Sequence, residues 1–371
     1  MDIKYRYSNL ASFASKDDNF LGRKYPYTLS KYRGEFQRDR DRVIHSSSFR
    51  RLKFKTQVFV YYEGDHFRTR LTHSLEVSQI ARSVARILRL NEDLCEVLSL
   101  AHDLGHTPFG HAGEAALSNC LRNDIFDHNI QSLRILILLE ETYSNHKGLN
   151  LSLNCIDGLL KHNGPIKNLE KLKNQLPEIF NYNVNFDNSG SLEAQISSLS
   201  DDIAYNCHDI DDGLRANLFC IEDLLNLKYL KNLFKGKAKL SKNELVRNLL
   251  NTLITDLIEN SQNQIIKEEI KNIEHVYKKN FNVINFSNDV NNGLKEIRDF
   301  LKLKMYNHTN VKKWNLKSEK IINELFRYFK KNPKKIPNFN NNSNDERIIA
   351  DYISGMTDKF ALDVYNSLNL K

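Results

Sequence analysis

Apolar residues recur every three or four positions along most of this chain, and few residues interrupt the pattern. The 371 residues include only six prolines and fourteen glycines, the usual breaks between helices. The spacing is clearest over 73–90, where Val77, Ile80 and Val84 fall on one helical face. The sequence therefore predicts an all-α fold.

Capping and terminating residues predict the helix boundaries. Asn91 can cap a helix that Leu104 and Gly105 would end, which places His102 and Asp103 in its last turn. A further helix is expected to start near residue 111, and others are predicted over 129–141, 192–209, 220–235, 241–278, 291–306, 315–331 and 345–368. Asparagine-rich stretches predict loops over 163–190 and 334–344, the second being the better linker candidate.

Composition excludes several classes of protein. The 40% apolar and 27% charged residues are typical of a soluble globular protein, and no uncharged apolar run is long enough to span a bilayer. The first ten residues lack the apolar region of a secretory signal, so we expect a cytoplasmic protein. Five single cysteines without a C-x-x-C pair argue against a zinc–thiolate site and against a disulfide framework.

Six of the twelve histidines lie between His66 and His128, and the densest group is HDLGHTPFGH over 102–111. The adjacent His102 and Asp103 offer a divalent ion one imidazole and one carboxylate, a set that suits manganese, magnesium, iron or cobalt and admits zinc. Two ligands are too few for a site. The chain offers His73 upstream and the pair Asp201 and Asp202 downstream.

Each of these residues also has an ordinary structural interpretation. A lone histidine is more often a hydrogen-bonded core or surface residue than a ligand. Asp201, Tyr205 and Asp209 recur every four residues and would share one helical stripe, which solvent could cover. Leu192, Ile196, Leu199 and Ile203 form the neighbouring apolar stripe, so part of the acidic face lies near the core. A bound cation would remove the cost of a carboxylate there.

The order His73, His102-Asp103, Asp201 resembles the signature of the HD-domain superfamily of metal-dependent phosphohydrolases. Longer segments are similar to successive motifs of bacterial deoxyguanosine triphosphate triphosphohydrolase-like proteins. They cover much of residues 20–215 and recur near the C-terminus: QRDRDRVIHSSSFRRLKFKTQVF (37–59), RTRLTHSLEV (68–77), AHDLGHTPFGHAGE (101–114), FDHNIQSLRIL (126–136), EAQISSLSDDIAYNCHDIDDG (193–213) and DYISGMTDKFA (351–361). Six ordered motifs are far more specific than the metal signature alone.

The resemblance implies roles for the residues that match the family motifs. His73, His102, Asp103 and Asp201 would coordinate a divalent ion, which leaves Asp202 outside the ligand set or on the helix surface.

His111 and Glu114 match a dyad that moves a proton beside the scissile phosphorus, and His128 matches another histidine of the active site. A histidine held by a carboxylate is a suitable proton donor to a leaving oxygen. Arg70 matches an arginine near the phosphates. Other basic residues between 38 and 55 could add phosphate contacts, or could be solvated partners of Asp39 and Asp41.

The sugar subsite is also implied by the resemblance. Gln57, Tyr205 and Asp209 match residues that hold the deoxyribose and its 3′-hydroxyl, and Tyr306 matches a tyrosine that blocks a ribose 2′-hydroxyl. We therefore expect a metal-dependent hydrolase that cleaves deoxynucleoside triphosphates, dGTP or several of them, to deoxynucleoside and tripolyphosphate.

Three parts are expected along the chain: an N-terminal segment that contributes to the active site (1–60), an HD-domain catalytic core (61–220) and a helical C-terminal region packed on that core (221–371). The resemblance implies a homo-oligomer, and a nucleotide effector or single-stranded DNA as a regulator. No membrane partner is expected.

Two other interpretations remain open. A different HD enzyme, such as a 5′-nucleotidase, a cyclic-nucleotide phosphodiesterase or a nuclease, would share the metal site but have another pocket. A nucleic-acid-binding regulator with a vestigial site would agree with the net charge of +8, although a solvated lysine-rich surface explains such a charge more often.

Overall fold

A computed structural model describes residues 9–58, 67–122, 125–236, 240–339 and 345–368, and every statement about contacts concerns these residues. Helices dominate the described residues, and the extended segments meet only in two isolated antiparallel bridges, Arg23 with Ser152 and Thr56 with Thr69. The predicted all-α fold is confirmed.

The first group of helices carries the histidine-rich region. It comprises α1 (Glu35–Ile44), α2 (Ser47–Arg51), α3 (Arg70–Leu88), α4 (Glu92–Ala101), α5 (Gly110–Cys120), α6 (His128–Arg134), α7 (Leu153–Leu160) and α8 (Leu169–Gln175).

The second group begins with a long helix that carries the acidic stripe. It comprises α9 (Leu192–Arg215), α10 (Ile221–Leu225), α11 (Lys228–Leu233), α12 (Lys242–Lys267), α13 (Ile273–Tyr277), α14 (Asn288–Leu301), α15 (Thr309–Lys331), α16 (Asp345–Ser354) and α17 (Asp358–Ser367). Two π-helical segments, Ile135–Leu139 and Lys302–Tyr306, continue α6 and α14.

Local capping explains where the observed helices differ from the predicted ones. The helix predicted over 241–278 is two helices, because Glu269 has a left-handed φ of 50° and the Asn272 side chain caps α13. The helix predicted over 345–368 is also two, because Thr357 caps α17. The loop predicted over 163–190 contains α8, which Asn168 caps, so an asparagine taken for a loop residue starts a helix.

The helix before the histidine motif ends earlier than predicted. Asn91 caps α4 as expected, but the helix ends at Ala101 and His102 is its C-cap, so Asp103 lies in the following turn. Gly105 is required there for a close approach, since a Cβ atom would lie 2.1 Å from the carbonyl oxygen of His128. The turn therefore holds the histidine motif against α6.

Buried apolar side chains form three clusters. The first joins α3 and α9 to α12 and α14, the second joins α1, α4 and α7, and the third packs α5 against α15, α16 and α17. The first cluster contains both Ile203 and Leu249, so it crosses the predicted boundary at residue 220. The division into three parts remains a prediction.

Within the described residues, none of the helices has both the length and the apolar character that crossing a membrane requires.

Candidate active site

Helices α3 and α9 and the C-terminal end of α4 bring the four predicted metal ligands close together. His73, His102 and Asp103 offer ligand atoms within 4.8 Å of one another, and Asp201 contacts both histidines. His73 Nε2 lies 2.8 Å from Asp201 Oδ1. His102 Nε2 lies 3.5 Å from Oδ1 of Asp103 and 3.5 Å from Oδ1 of Asp201. Atoms this close can share one ion, because metal–ligand bonds of this type are about 2.0 to 2.2 Å long.

The chemistry of the four side chains fits a divalent ion. The buried Nε2 atom of His102 has no hydrogen-bond partner among the described residues, whereas its Nδ1 lies 2.6 Å from the carbonyl oxygen of Ser99. The carboxylates 3.5 Å away are this atom's only close acceptors among the described residues, and a cation bound between them and Nε2 would supply a closer partner. Two imidazoles with two carboxylates suit manganese, magnesium, iron or cobalt and also zinc.

The electrostatics of the site are those of ionised carboxylates beside cations. Burial disfavours ionisation of Asp103, but Arg70 and His102 hold its pKa well below its usual range. Burial also opposes ionisation of Asp201, and His102 again holds the pKa of that carboxyl well below its usual range. Burial disfavours the charged form of His102, yet the two carboxylates raise its pKa to about 9. Both aspartates are therefore available as anionic ligands.

A second layer of contacts fixes the orientation of His73. Its Nδ1 atom lies 3.2 Å from Nδ1 of His208, whose Nε2 pairs with Glu76. Arg68 also donates to Glu76, at 3.0 Å. Hydrogen bonds to the second nitrogen of a ligating histidine set its ring orientation and basicity.

Sequence reasoning missed His208 as a site residue, although its position pointed to the site. His208 comes seven residues after Asp201, and that spacing places both on one face of α9.

His162 is a further residue that the sequence did not single out. It is 7% exposed, its ring stacks on His102 with centroids 5.2 Å apart, and its Nε2 lies 3.7 Å from Asp201 Oδ2. A lone histidine after α7 carries no pattern that would distinguish it from a core histidine.

Beside the metal ligands lies a second group of histidines around Glu114. Glu114 Oε2 lies 3.3 Å from His111 Nδ1, and Glu114 Oε1 lies 2.8 Å from His128 Nδ1. The ring of His128 stacks on His106 at 3.9 Å, and His106 Nε2 lies 3.0 Å from Asp103 Oδ1. His106 therefore connects the two groups, a contact that sequence reasoning did not identify.

Exposure and charge distinguish the members of this second group. The side chain of His111 is 69% exposed, so it is accessible to a substrate, while His106 is buried. Burial works against ionisation of Glu114, but hydrogen bonds from His111 and His128 hold its pKa well below its usual range. Glu114 is therefore an anion shared between two imidazoles.

Arg70 and Gln57 lie where the two groups meet. The guanidinium of Arg70 donates to Asp103 Oδ2 at 3.0 Å, and its Nε atom has no hydrogen-bond partner among the described residues. The side-chain oxygen of Gln57 is likewise buried and unpaired there. Gly110 lies between Arg70 Nη2 and the Gln57 carbonyl oxygen, and its left-handed φ of 59° favours glycine at this position.

The four residues predicted to hold the sugar separate into a hydroxyl cluster and Gln57. The hydroxyls of Tyr205 and Tyr306 hydrogen-bond to each other, and Tyr306 donates to Oδ2 of Asp209. Burial raises the pKa of Asp209 to about 7, although the Tyr306 hydroxyl opposes the rise. Oδ1 of Asp209 has no hydrogen-bond partner among the described residues and can accept one from a ligand.

The other basic and acidic candidates form ion pairs with residues outside the ligand set. Asp202 pairs with Arg298 at 3.0 Å, outside the ligand set. Arg38 pairs with Glu35, and Arg40 pairs with Asp93 and Glu96. Of the two interpretations of residues 38–55, these contacts favour ion pairing for Arg38, within α1, and for Arg40, which joins α1 to α4.

A separate cavity of about 660 Å³ lies against the segment that carries Gln57. Its lining includes Thr56, Val58 and Phe109 together with Val311 and Trp314 of α15. None of the four candidate metal ligands lines it. The candidate metal ligands therefore lie beside this cavity and do not line it.

Comparison with known proteins agrees with this geometry. Residues 70–206 match the HD domain family, and residues 284–367 match the family described as phosphohydrolase-associated domain. The first match contains all four candidate metal ligands.

Curated relatives match nearly the whole chain. A protein of Pelagibacter ubique is 51% identical, over 96% of this chain and 98% of its own length. Proteins of Rickettsia bellii and Rickettsia prowazekii are each 43% identical, over 97% of this chain and 98% of theirs. All three are named deoxyguanosinetriphosphate triphosphohydrolase-like protein.

Among solved structures, a hypothetical protein from Aquifex aeolicus matches 82% of this chain and 80% of its own, at 18% identity and a TM-score of 0.33, a likeness too weak to support an argument. The near-complete matches to curated relatives are decisive, and the chain belongs to the family of deoxyguanosinetriphosphate triphosphohydrolase-like proteins, with an HD phosphohydrolase domain.

Proposed function

We propose that this chain hydrolyses deoxynucleoside triphosphates to deoxynucleoside and tripolyphosphate, using one divalent ion. The observation that carries the proposal is the convergence of His73, His102, Asp103 and Asp201 beside the histidine group around Glu114. A metal site, a proton-transfer group and a hydroxyl-binding cluster are the three parts that such a reaction requires.

The four ligands would hold the ion next to the triphosphate. A divalent ion bound there would lower the pKa of water and polarise a phosphoryl oxygen. Arg70 lies 3.0 Å from Asp103 and has an unpaired Nε, so it can contact a phosphate oxygen while still bound to that aspartate.

Water attack at the α-phosphorus breaks the bond to the 5′-oxygen of the nucleoside, and that oxygen leaves with a proton. We assign the donor to His111, which is exposed and held by Glu114. Glu114 stabilises the protonated imidazole, and His128 on its other oxygen fixes the carboxylate in place. Proton transfer of this kind contributes roughly 10²- to 10⁴-fold to a rate.

The hydroxyl cluster would hold the sugar. Tyr205 and Asp209 follow Asp201 by one and two turns of α9, so they lie along the same helical face as the metal ligand. The free oxygen of Asp209 would accept the one hydrogen bond that the 3′-hydroxyl donates, and Gln57, with its unpaired side-chain oxygen, would contact the deoxyribose. Tyr306 lies against both Tyr205 and Asp209, where its ring would exclude a 2′-hydroxyl.

A panel of the four deoxynucleoside and four ribonucleoside triphosphates with manganese, magnesium or cobalt tests the proposal. Wild type is expected to release tripolyphosphate from at least one deoxynucleotide, and the double variant His102→Ala/Asp103→Ala is expected to release none. Pyrophosphate or orthophosphate as first product would point to a different HD phosphohydrolase. Single-strand binding without turnover under every metal tried would favour a regulatory protein.

A further inference from the structure

The C-terminal motif over 351–361 has no role in the proposed reaction, yet its residues contact the segments that carry the site. Asp358 is fully buried at the first position of α17. Its Oδ2 accepts from the backbone N–H of Thr56 at 2.9 Å and from the Thr56 hydroxyl, and its Oδ1 accepts from the N–H of Phe109 at 2.9 Å. One carboxylate thus joins the segment before Gln57 to the turn before His111.

The turn that Asp358 holds is conformationally strained. Phe109 has φ of 64° and Gly110 has φ of 59°, and Phe109 is the N-cap of the helix that carries His111 and Glu114. A non-glycine residue in the left-handed region persists only where its surroundings hold it. The bond from Phe109 N–H to Asp358 is such a constraint.

A buried lysine reinforces the same junction. Lys55 is 1% exposed, and its ammonium donates to the carbonyl oxygen of Ser354 at 2.9 Å and to that of His106. It therefore joins the end of α16 to the histidine motif.

A third contact reaches the helix that carries His128. Asp351 accepts from Arg134 at 3.0 Å and 2.6 Å and from Gln131 at 3.0 Å, and both donors belong to α6. In contrast, the contacts given for His73, His102, Asp103 and Asp201 involve none of the residues 351–361, and Asp103 is linked to the motif indirectly, through His106 and Lys55.

We propose that the motif over 351–361 is a positioning element for the proton-transfer group and for the segment that carries Gln57, and that the metal ligands assemble without it. The inference rests on the proposed function and deepens it. Asp358 and Lys55 act through Thr56, His106 and Phe109, so they are positioning residues. Displacement of a reacting group by about 1 Å can reduce turnover about 100-fold.

The test compares Asp358→Asn, Asp358→Glu and Lys55→Met with the exposed control Asp363→Asn on the same helix. In Asp358→Asn the side-chain NH2 replaces one acceptor oxygen and faces a backbone N–H that is also a donor. At least one of the two backbone hydrogen bonds is therefore lost. We expect kcat for the preferred deoxynucleotide to fall about 10- to 100-fold in Asp358→Asn. Manganese affinity should stay within about twofold of wild type, the Glu variant should recover part of the loss, and the control should be unchanged.

Hydrogen exchange measured by mass spectrometry provides a readout that does not need turnover. Peptides over 55–58 and 104–111 should exchange faster in Asp358→Asn and Lys55→Met, while peptides over 73–88 and 197–206 should not change. Equal turnover, a parallel loss of manganese affinity, or uniform exchange along the chain would overturn the inference. If wild type lacked turnover, the proposed function alone would fail, and the exchange pattern would still test the positioning element.

Discussion

The Nε2 atom of His73 lies 2.8 Å from Oδ1 of Asp201, although the two residues are 128 positions apart in the sequence. They meet because α3 and α9 pack against each other in the largest apolar cluster. A shared ion would replace this hydrogen bond, and metal binding would then stabilise the packing of these two helices.

The His208 contact predicts an effect on metal affinity without loss of a ligand. His208→Ala removes the partner of His73 Nδ1 and leaves Glu76 without its imidazole. We expect manganese to bind about 10- to 100-fold more weakly, as is usual when such an orienting residue is removed. Equilibrium dialysis measures the affinity, and the exposed His45→Ala is the control. Equal affinities of variant and wild type would refute this role for His208.

Much of the site could be predicted because its residues lie in continuous motifs. Asp201, Tyr205 and Asp209 share a helical stripe that the sequence displays. In the structure Asp201 contacts His73, while Tyr205 and Asp209 both contact Tyr306. His162 lies in none of these motifs, and Lys55, although it lies in the motif over 37–59, has no sequence feature that predicts a buried position. The proximity of both residues to the site depends on how separate helices pack.

The sequence predicts the all-α class of the fold but not the exact ends of its helices. Apolar spacing identifies a helix, whereas its end is set by single residues such as Glu269 with its left-handed φ or Thr357 as a cap. The sequence leaves open whether the Arg-rich segment of α1 is a solvated surface or a phosphate-binding stretch. This segment is a helix whose arginines pair with Glu35, Asp93 and Glu96.

Loss of the proposed proton donor should slow turnover without affecting the metal. In His111→Ala we expect kcat to fall roughly 10²- to 10⁴-fold, with manganese affinity unchanged. Glu114→Gln should show a comparable fall, because the amide no longer stabilises a protonated imidazole. Steady-state kinetics measures kcat, and a manganese titration of each variant measures metal affinity. A kcat within about twofold of wild type in His111→Ala would require a different donor.

Sugar discrimination should depend on the ring of Tyr306 more than on its hydroxyl. Tyr306→Ala opens space beside Tyr205 and Asp209, so the preference for dGTP over GTP in kcat/KM should fall by about tenfold or more. Tyr306→Phe keeps the ring and should keep most of the preference. Competition between the two nucleotides gives the ratio directly. An unchanged ratio in the Ala variant would exclude Tyr306 as the discriminating residue.

The raised pKa of Asp209 predicts how the stability of the substrate-free protein depends on pH. Burial raises its pKa to about 7, above the usual value for an unfolded carboxyl, so folding takes up a proton between these two values. Stability from this group is present at low pH and is lost as the pH rises through about 7. Relative to Asp209→Asn, wild type should lose up to about 1.4 kcal/mol per pH unit between about pH 5 and 7.

Urea unfolding of both proteins at several pH values measures this difference. The free-energy difference should become constant above about pH 8. A difference that is constant between about pH 5 and 7 would show that Asp209 is ionised in the folded protein.

Hydrolysis of dGTP in ¹⁸O-labelled water by the manganese-loaded protein tests the central claim most directly. Water attack on the α-phosphorus places one ¹⁸O atom in tripolyphosphate and none in deoxyguanosine, and mass spectrometry of both products should show this distribution. Label in orthophosphate, in pyrophosphate or in deoxyguanosine, or intact dGTP with every divalent metal tried, would contradict the account.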